Sequence, residues 1–421
     1  MRRRDLFPLA LFPGLAAAQR TANGPLKITK VEGIVIRTPN DAAPLDSLME
    51  MPPLGSTTGG PGIWNRLDHA SPSRFKGRTQ ATLVKITTAQ GLTGWGECHA
   101  PAAPRVHQTL IRDALAPILV GEDARNVEAL WDRMYSSERL RGYSTGFFTE
   151  AIAGVDLALW DLLGKYVGQP VYRLLGGQYR PAIPTYIGVG GATLDDLRAN
   201  TRRAFEQGFR TVKMGLSKGS GTRELDRVAA VADTVRGQGQ LLVDSLGAYK
   251  LHEAVSIGRQ LDQMKSIGWW EDALMPEDTS GYPKLAEALD LAVCVGETYS
   301  NRFQFRDLFA NRGADIINPD ICRSAGLSET RRIATLADAH GVLWSPHVST
   351  GTALYWSASV HLAVATPNCV IMEGGNLMAG PFGNALLAKP LAYTPGFAHV
   401  PDGPGFGIEF DEKALATVTA A

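Results

Sequence analysis

The sequence is poor in the features that mark several large classes of protein. Its 421 residues contain only four cysteines, and no two of them form a CxxC pair. Because zinc sites and disulfide frameworks need cysteines at short, regular spacings, we interpret these four as buried thiols. Lys+Arg and Asp+Glu both number 42, so the formal net charge is zero. A neutral chain has no overall field to attract nucleic acid or an anionic membrane, which leaves a small molecule as the expected ligand.

The amino terminus lacks an apolar run long enough to cross a membrane. It reads MRRRDLFPLALFPGLAAAQR, in which Pro8 and Pro13 interrupt a short apolar stretch. Arginines at 2 to 4 precede that stretch and alanines at 16 to 18 follow it, a pattern typical of a twin-arginine export signal. We therefore predict that residues 1–20 are the signal peptide of a periplasmic protein. The alternative is a basic tail on a cytoplasmic protein.

Residues 25–165 are predicted to form an α+β domain. The expected strands are Lys27 to Arg37, Gln80 to Thr88 and Gly91 to Glu97, and the expected helices are Val106 to Leu119, Val127 to Arg139 and Phe147 to Tyr166. Residues 39–78, between the first two strands, are rich in Pro, Gly and Ser, and a loop of that length is usually functional or disordered. Trp64, Arg66 and His69 lie in it and are candidates to contact a polar substrate. A loop without such a role is the alternative.

Residues 180–380 alternate between strand and helix patterns, which predicts a (β/α)8-type barrel of the modified TIM class capped by the first domain. The eight expected strands are Ile183 to Val189, Phe209 to Gly215, Leu241 to Asp244, Gly268 to Glu271, Leu291 to Glu297, Asp315 to Asn318, Val342 to Ser345 and Val370 to Glu373. Residues 381–421 show no further strand–helix unit, so we expect this tail to run back to the capping domain.

A titratable residue ends each of five successive strand patterns, about 25 residues apart. These residues are Asp244, Glu271, Glu297, Asp320 and His347. Because the carboxyl ends of barrel strands face one mouth, the five side chains are predicted to converge there. The first three are carboxylates with no His or Cys nearby, a donor set typical of a hard cation such as Mg²⁺. For any one of them alone, a helix cap is the alternative reading.

The last two of these residues predict a proton-transfer pair. Asp320 and His347 end adjacent strands, so the carboxylate can orient the imidazole and raise its basicity, which makes His347 a candidate general base. Lys213, on the second strand, is the expected cation that offsets the excess negative charge of three carboxylates around one Mg²⁺. Glu373 ends the eighth strand and completes the ring.

Several motifs in order along the chain resemble the enolase superfamily, in particular the mandelate racemase subgroup. They are Gly94-Trp95-Gly96-Glu97, Ala158-Leu159-Trp160-Asp161, Leu174-Leu175-Gly176-Gly177, Val243-Asp244, Trp270-Glu271-Asp272, Gly296-Glu297, Pro319-Asp320, His347 and Glu373. The resemblance implies that the three acids hold Mg²⁺ and that the His/Asp pair moves a proton α to a carboxylate. It also implies that Glu373 hydrogen-bonds the substrate carboxylate and that the protein is a homo-oligomer.

Three positions depart from the pattern of that subgroup. Gly215 stands where a second lysine base is common, Leu246 where an Asn is frequent, and Ala273 where a Pro usually follows. A racemase needs groups on both faces of the substrate, so the missing lysine favours a one-base reaction. The sequence therefore predicts a Mg²⁺-dependent lyase that dehydrates an acid sugar to a 2-keto-3-deoxy acid. A racemase, epimerase or other isomerase, with Lys213 as a possible second base, is one alternative, and a degenerate acid-binding protein is another.

Overall fold

The computed structural model describes residues 24–38, 80–99, 103–216, 222–374, 378 and 380–420. Within these ranges the chain builds a capping domain, a barrel and a carboxyl-terminal tail. The predicted fold class is confirmed.

The capping domain opens with a three-stranded antiparallel sheet in the order β1-β2-β3. The strands are β1 Ile28–Arg37, β2 Gln80–Thr88 and β3 Thr93–Cys98. The turn between β2 and β3 is closed by hydrogen bonds from Gly91 N to Thr88 O and from Thr88 N to Leu92 O. Gly91 has a φ of 79°, in the left-handed region that glycine adopts at little cost, which explains its place in this turn.

Helices pack against that sheet and complete the cap. They are α1 Pro104–Leu110, α2 Ala116–Leu119, α3 Val127–Ser137, α4 Phe147–Val167 and α5 Val171–Leu174, with a π-helical turn at Ile111–Leu115 between α1 and α2. β3 lies very close to α4, because a Cβ at Gly96 would come within 1.8 Å of Gly154 O. Helix α4 ends at Gly168, which has a φ of 68°. The predicted domain boundary at residue 165 therefore falls inside the last turn of α4.

The barrel contains eight parallel strands that are neighbours in the order β10-β9-β8-β7-β6-β5-β4-β11. They are β4 Ala182–Gly188, β5 Thr211–Gly215, β6 Gln240–Asp244, β7 Ile267–Glu271, β8 Val293–Val295, β9 Ile316–Ile317, β10 Leu343–Trp344 and β11 Met372–Glu373. Backbone hydrogen bonds join β10 to the segment that enters β11, including Val370 N to Trp344 O at 3.0 Å. The ring of strands is thereby completed.

A helix occupies each interval between consecutive barrel strands. These helices are α6 Leu194–Glu206, α7 Thr222–Val235, α8 Leu251–Leu261, α9 Gly281–Ala288, α10 Arg302–Ala310, α11 Leu327–Ala339 and α12 Ala353–Val364. All twelve residues of α12 are buried, since it also packs against the cap and the tail.

The last strands are shorter than the sequence predicts. β9 ends at Ile317 and β10 at Trp344, so Asp320 and His347 lie three residues beyond regular strand. Pro319 and Pro346 precede these two residues, and a proline cannot donate a backbone hydrogen bond to the ladder. Asp320 and His347 nevertheless face each other across an isolated parallel bridge.

The tail contacts the barrel first and the cap afterwards. Strand β12 Phe397–His399, which the sequence analysis did not predict, pairs antiparallel with β4. Helix α13 Glu412–Val418 follows, and Ala420 N then donates to Val35 O of β1 at 2.8 Å. Across the described ranges, no helix has both the length and the apolar character needed to span a membrane.

Candidate metal and proton-transfer site

Three carboxylates meet at the carboxyl ends of β6, β7 and β8. Asp244 and Glu271 are the last residues of adjacent strands and pair in register, whereas Glu297 lies two residues beyond β8. One oxygen from each of the three carboxylates lies within 4.8 Å of the others. The structure therefore brings together the three residues that the sequence predicted as metal ligands.

Lys213 on β5 is the cation beside these acids. Its Nζ lies 2.9 Å from Asp244 Oδ2, 2.6 Å from Glu271 Oε1 and 3.8 Å from Glu373 Oε1. Burial alone would lower the pKa of Lys213, but the surrounding carboxylates, Glu271 first, raise it well above its ordinary value. Lys213 is therefore a positive charge held among the carboxylates of this site.

The carboxylates remain in excess after Lys213 is counted. Burial above all, together with the neighbouring acids, raises the pKa of Glu271 to about 7, although Lys213 acts in the opposite direction. Trp269 Nε1 and Asn318 Nδ2 donate to Glu271 at 3.1 and 3.0 Å, so this carboxylate is held in place. Three converging carboxylate oxygens with uncompensated charge fit a hard divalent cation, and these residues could hold one.

His347 and Asp320 form a hydrogen-bonded pair next to the carboxylates. His347 Nδ1 lies 2.7 Å from Asp320 Oδ2, and His347 Nε2 lies 3.2 Å from Glu297 Oε2. Because Asp320 can only accept when ionised, it fixes the proton on Nδ1 and leaves Nε2 directed at the site. The Asp320–His347 pair thus has the geometry of an oriented imidazole base.

The charges around His347 shift its protonation strongly. Burial alone would lower the pKa of His347, but Glu297, Asp320 and Glu373 together raise it to about 10. Burial alone would likewise raise the pKa of Asp320, yet its hydrogen bond with His347 and the nearby His99 and Arg323 bring it below its ordinary value. A divalent cation on Glu297 would offset part of the negative charge that acts on His347.

Comparison with known proteins matches both halves of the chain. Residues 71–176 match the mandelate racemase / muconate lactonizing enzyme N-terminal domain, and residues 196–414 match the enolase C-terminal domain-like family. The chain belongs to the mandelate racemase / muconate lactonizing enzyme family. The resemblance drawn from the sequence motifs is thereby confirmed.

Relatives in this family carry two kinds of activity in their names. The D-galactarolactone cycloisomerase of Agrobacterium fabrum (strain C58 / ATCC 33970) is 33% identical over 83% of this chain and 95% of its own length. The D-galactonate dehydratase of Verminephrobacter eiseniae is 31% identical over 79% of this chain and 89% of its own. The crystal structure of the 3,6-anhydro-D-galactonate cycloisomerase from Zobellia galactanivorans superimposes with a TM-score of 0.75 at 29% identity, over 94% of this chain and 100% of that one.

Glu373 occupies the place on β11 that the family resemblance implied. Its Oε2 accepts a hydrogen bond from Val348 N at 3.2 Å and lies 3.7 Å from His347 Nε2. This carboxylate therefore borders both Lys213 and His347.

Two of the three positions that depart from the family pattern, Gly215 and Leu246, lie on the β5 and β6 side of the mouth, whereas Ala273 lies two residues beyond β7. Gly215 contributes no side chain, and among the described residues a Cβ there would meet only Asp244 O, at 4.0 Å. Leu246 is half exposed and has a φ of 46°, while its N donates to Asp244 Oδ1 at 3.0 Å. Neither position offers a group that could exchange a proton.

Some neighbours of the Asp320–His347 pair were not identified from the sequence. The hydroxyl of Tyr355, in the first turn of α12, contacts Asp320. Arg323 Nε lies 3.3 Å from His99 Nδ1, and both side chains lower the pKa of Asp320. None of them ends a strand pattern, so the strand spacing carried no signal for them. Trp64, Arg66 and His69, the predicted substrate contacts, lie outside the described residues.

Proposed function

We propose that this protein is an enzyme that removes the proton α to the carboxylate of a hydroxylated sugar acid and then expels the β-oxygen. The observation that carries the proposal is the orientation of His347, with Nδ1 held by Asp320 and Nε2 directed at the three-carboxylate cluster. The substrate class is supported by relatives named for galactonate and for galactarolactone.

Mg²⁺ is the proposed cofactor, held by Asp244, Glu271 and Glu297. A divalent cation there would supply positive charge that stabilises the second negative charge on the substrate carboxylate as the α-proton leaves. Lys213 and Glu373 line the same mouth and would position the substrate carboxylate between them.

His347 moves the proton. Nε2 takes the α-proton, and the electron pair of the broken C–H bond passes into the carboxylate. This electron pair then forms a double bond between the α- and β-carbons as the β C–O bond breaks. The proton on His347 then leaves with the β-oxygen as water, and the enol that remains becomes a 2-keto-3-deoxy acid. One base on one face of the substrate is enough for these steps.

A cycloisomerase is the second candidate, favoured by the 33% identity to D-galactarolactone cycloisomerase. The same proton abstraction serves both reactions. If the leaving β-oxygen belongs to a ring, it stays attached to the molecule through its other bond, so the product has the atoms of the substrate and the reaction is an isomerisation. Racemisation is less well supported, because Gly215 has no side chain and Lys213 is engaged by carboxylates.

A substrate screen with one variant tests the proposal. Purified protein with Mg²⁺ is incubated with D-galactonate and D-galactarolactone, and the 2-keto product is measured. We expect conversion of at least one acid, and a loss of about 10²–10⁴-fold in kcat for His347→Asn with retained metal binding. His340→Asn, at an exposed histidine after α11, is the control. A protein that binds Mg²⁺ but converts no sugar acid in a wider panel would instead be an acid-binding family member.

A further inference from the structure

The hydroxyl of Tyr355 shares an acceptor with His347. Both Tyr355 Oη and His347 Nδ1 contact Asp320 Oδ2, while Cys322 N donates to Asp320 Oδ1 at 2.8 Å. Asp320 is fully buried, so these donors hold both of its oxygens. A carboxylate held at both oxygens cannot rotate, and the imidazole that depends on it keeps its direction.

Tyr355 also fixes the chain that follows His347. Ser349 N donates to Tyr355 Oη at 3.2 Å, and Tyr355 Oη lies 3.3 Å from His347 O. One hydroxyl therefore touches the carboxylate partner of the imidazole, the backbone of the histidine and the segment just beyond it. Only 1% of Tyr355 is exposed, so water cannot easily replace these contacts.

The position of Tyr355 is in turn set by the capping domain. Glu97, on β3, accepts hydrogen bonds from Thr352 N at 3.0 Å and from Thr352 Oγ1 at 2.5 Å. Thr352 is the N-cap of α12, so a carboxyl group of the capping domain holds the start of the helix that carries Tyr355. Gly351 allows the close fit, since a Cβ there would come within 2.6 Å of Glu97 Oε1 and 2.5 Å of Tyr355 Cδ1.

We propose that Tyr355 is a positioning residue for the Asp320–His347 pair. Glu97 of the capping domain, through its hydrogen bonds to Thr352, holds Tyr355 in place. The inference rests on the proposed function of His347 as the base. It assigns a role in proton transfer to a residue whose hydroxyl contacts Asp320 and the backbone around His347. The docked cap then contributes to catalysis through the start of α12.

Tyr355→Phe tests this proposal, because it removes the hydroxyl and keeps the buried ring. With the sugar acid that the wild-type enzyme converts, we expect kcat to fall ~10–100-fold, the range for one hydrogen bond to a charged group. KM and Mg²⁺ affinity should stay within about threefold. Tyr282→Phe is the matched control, because Tyr282 is also fully buried and donates its hydroxyl to Leu274 O, away from His347. Equal kcat values for Tyr355→Phe and Tyr282→Phe would overturn the proposal.

Hydrogen exchange separates this inference from the proposed function, since it needs no substrate. The amide of Ser349 loses its acceptor in Tyr355→Phe, so peptides covering residues 347–352 should exchange at least ~10-fold faster, with the rest of the barrel unchanged. Tyr282→Phe should leave these peptides as in wild type. Unchanged exchange in Tyr355→Phe would overturn the positioning role whether or not a substrate is known. If the wild-type protein converts no sugar acid but exchange is faster in Tyr355→Phe, the proposed function is wrong and the positioning role of Tyr355 stands.

Glu97 provides the second variant. Glu97→Gln keeps an oxygen for Thr352 and should preserve kcat within about threefold. Glu97→Ala removes the acceptor. We therefore expect a lower kcat and faster hydrogen exchange over residues 347–352, as in Tyr355→Phe. A loss of kcat in Glu97→Ala without faster exchange there would contradict transmission through the start of α12.

Discussion

At the scale of single residues, negative charge dominates the candidate metal site. Asp244, Glu271 and Glu297 converge on one point, and Lys213 neutralises only part of their charge. Such a cluster is costly to bury without a cation, because like charges in a low-dielectric site raise one another's pKa. Binding of a divalent cation would relieve that repulsion, which links metal affinity directly to the number of ionised ligands.

Glu297→Gln should therefore weaken Mg²⁺ binding. The amide keeps the size of the side chain but removes one of three negative charges, so we expect at least a tenfold rise in Kd by calorimetry. Glu206→Gln, at an exposed site on α6, should bind Mg²⁺ like the wild type. Unchanged affinity in Glu297→Gln would show that this carboxylate is not a ligand.

The sequence located those residues of the site that lie at strand ends, and missed those that do not. Asp244 and Glu271 close strands whose apolar patterns are clear, and their convergence follows from barrel geometry alone. Tyr355 lies on α12 and reaches Asp320 across 35 positions of sequence, a contact that depends on how one buried helix packs. No local pattern encodes such a contact.

At the scale of elements, the capping domain provides a side chain that accepts hydrogen bonds at the start of a barrel helix. Asp156 of α4 accepts hydrogen bonds from Ser328 N at 2.9 Å and from Ser328 Oγ at 2.6 Å, at the first turn of α11. Gly326 precedes this turn with a φ of 95°, and a Cβ there would come within 2.5 Å of Asp156 Oδ2. The first turn of α11 therefore depends on the docked cap.

Burial raises the pKa of Asp156 to about 7, although the hydrogen bonds from Ser328 act to lower it. A carboxyl group with a raised folded-state pKa contributes stability that is fully present below the unfolded value, ~3.9, and is lost as pH rises through about 7. Asp156→Asn should lack this dependence. Between pH 5 and 7 the unfolding free energy of wild type should fall relative to Asp156→Asn by up to ~1.4 kcal/mol per pH unit, measured by urea denaturation.

Asp338→Asn, an exposed substitution on α11, is the control and should follow the wild-type pH profile. Parallel profiles for wild type and Asp156→Asn would mean that Asp156 does not titrate in this range.

The elements themselves were predictable to different degrees. β6 and β7 end at the predicted residues, because their apolar runs finish on the site acids, and each begins one residue earlier than predicted. The predicted fifth strand extends to Glu297, but β8 ends at Val295 because Gly296 adopts a φ of 136°. β12 could not be foreseen, since three residues that pair with β4 carry no pattern of their own.

At the scale of the whole molecule, the cap and the barrel share one apolar core and several buried polar contacts. Trp131 Nε1 donates to Ala325 O at 2.7 Å, and Trp160 Nε1 donates to Ser328 Oγ at 2.9 Å. Such contacts fix the cap over the mouth of the barrel. Homo-oligomer formation, implied by the family resemblance, stays a prediction that light scattering of the purified protein can check.

Export is also a property of the whole chain, and we propose a periplasmic location. The arginines at 2 to 4 and alanines at 16 to 18 predict cleavage, so protein isolated from its native host should begin near Gln19. Mass spectrometry of the periplasmic and cytoplasmic fractions measures this. An uncleaved chain confined to the cytoplasm would refute the export prediction.

In the proposed reaction His347 acts alone, on one face of the α-carbon. The most direct test is turnover of a converted sugar acid in D₂O, with the recovered substrate and the product examined by NMR. We expect a 2-keto-3-deoxy acid that carries solvent deuterium at C3, and recovered substrate with its original α-configuration. Recovered substrate that is epimerised at the α-carbon would contradict it, because a second proton-transfer group would then face His347 across the site.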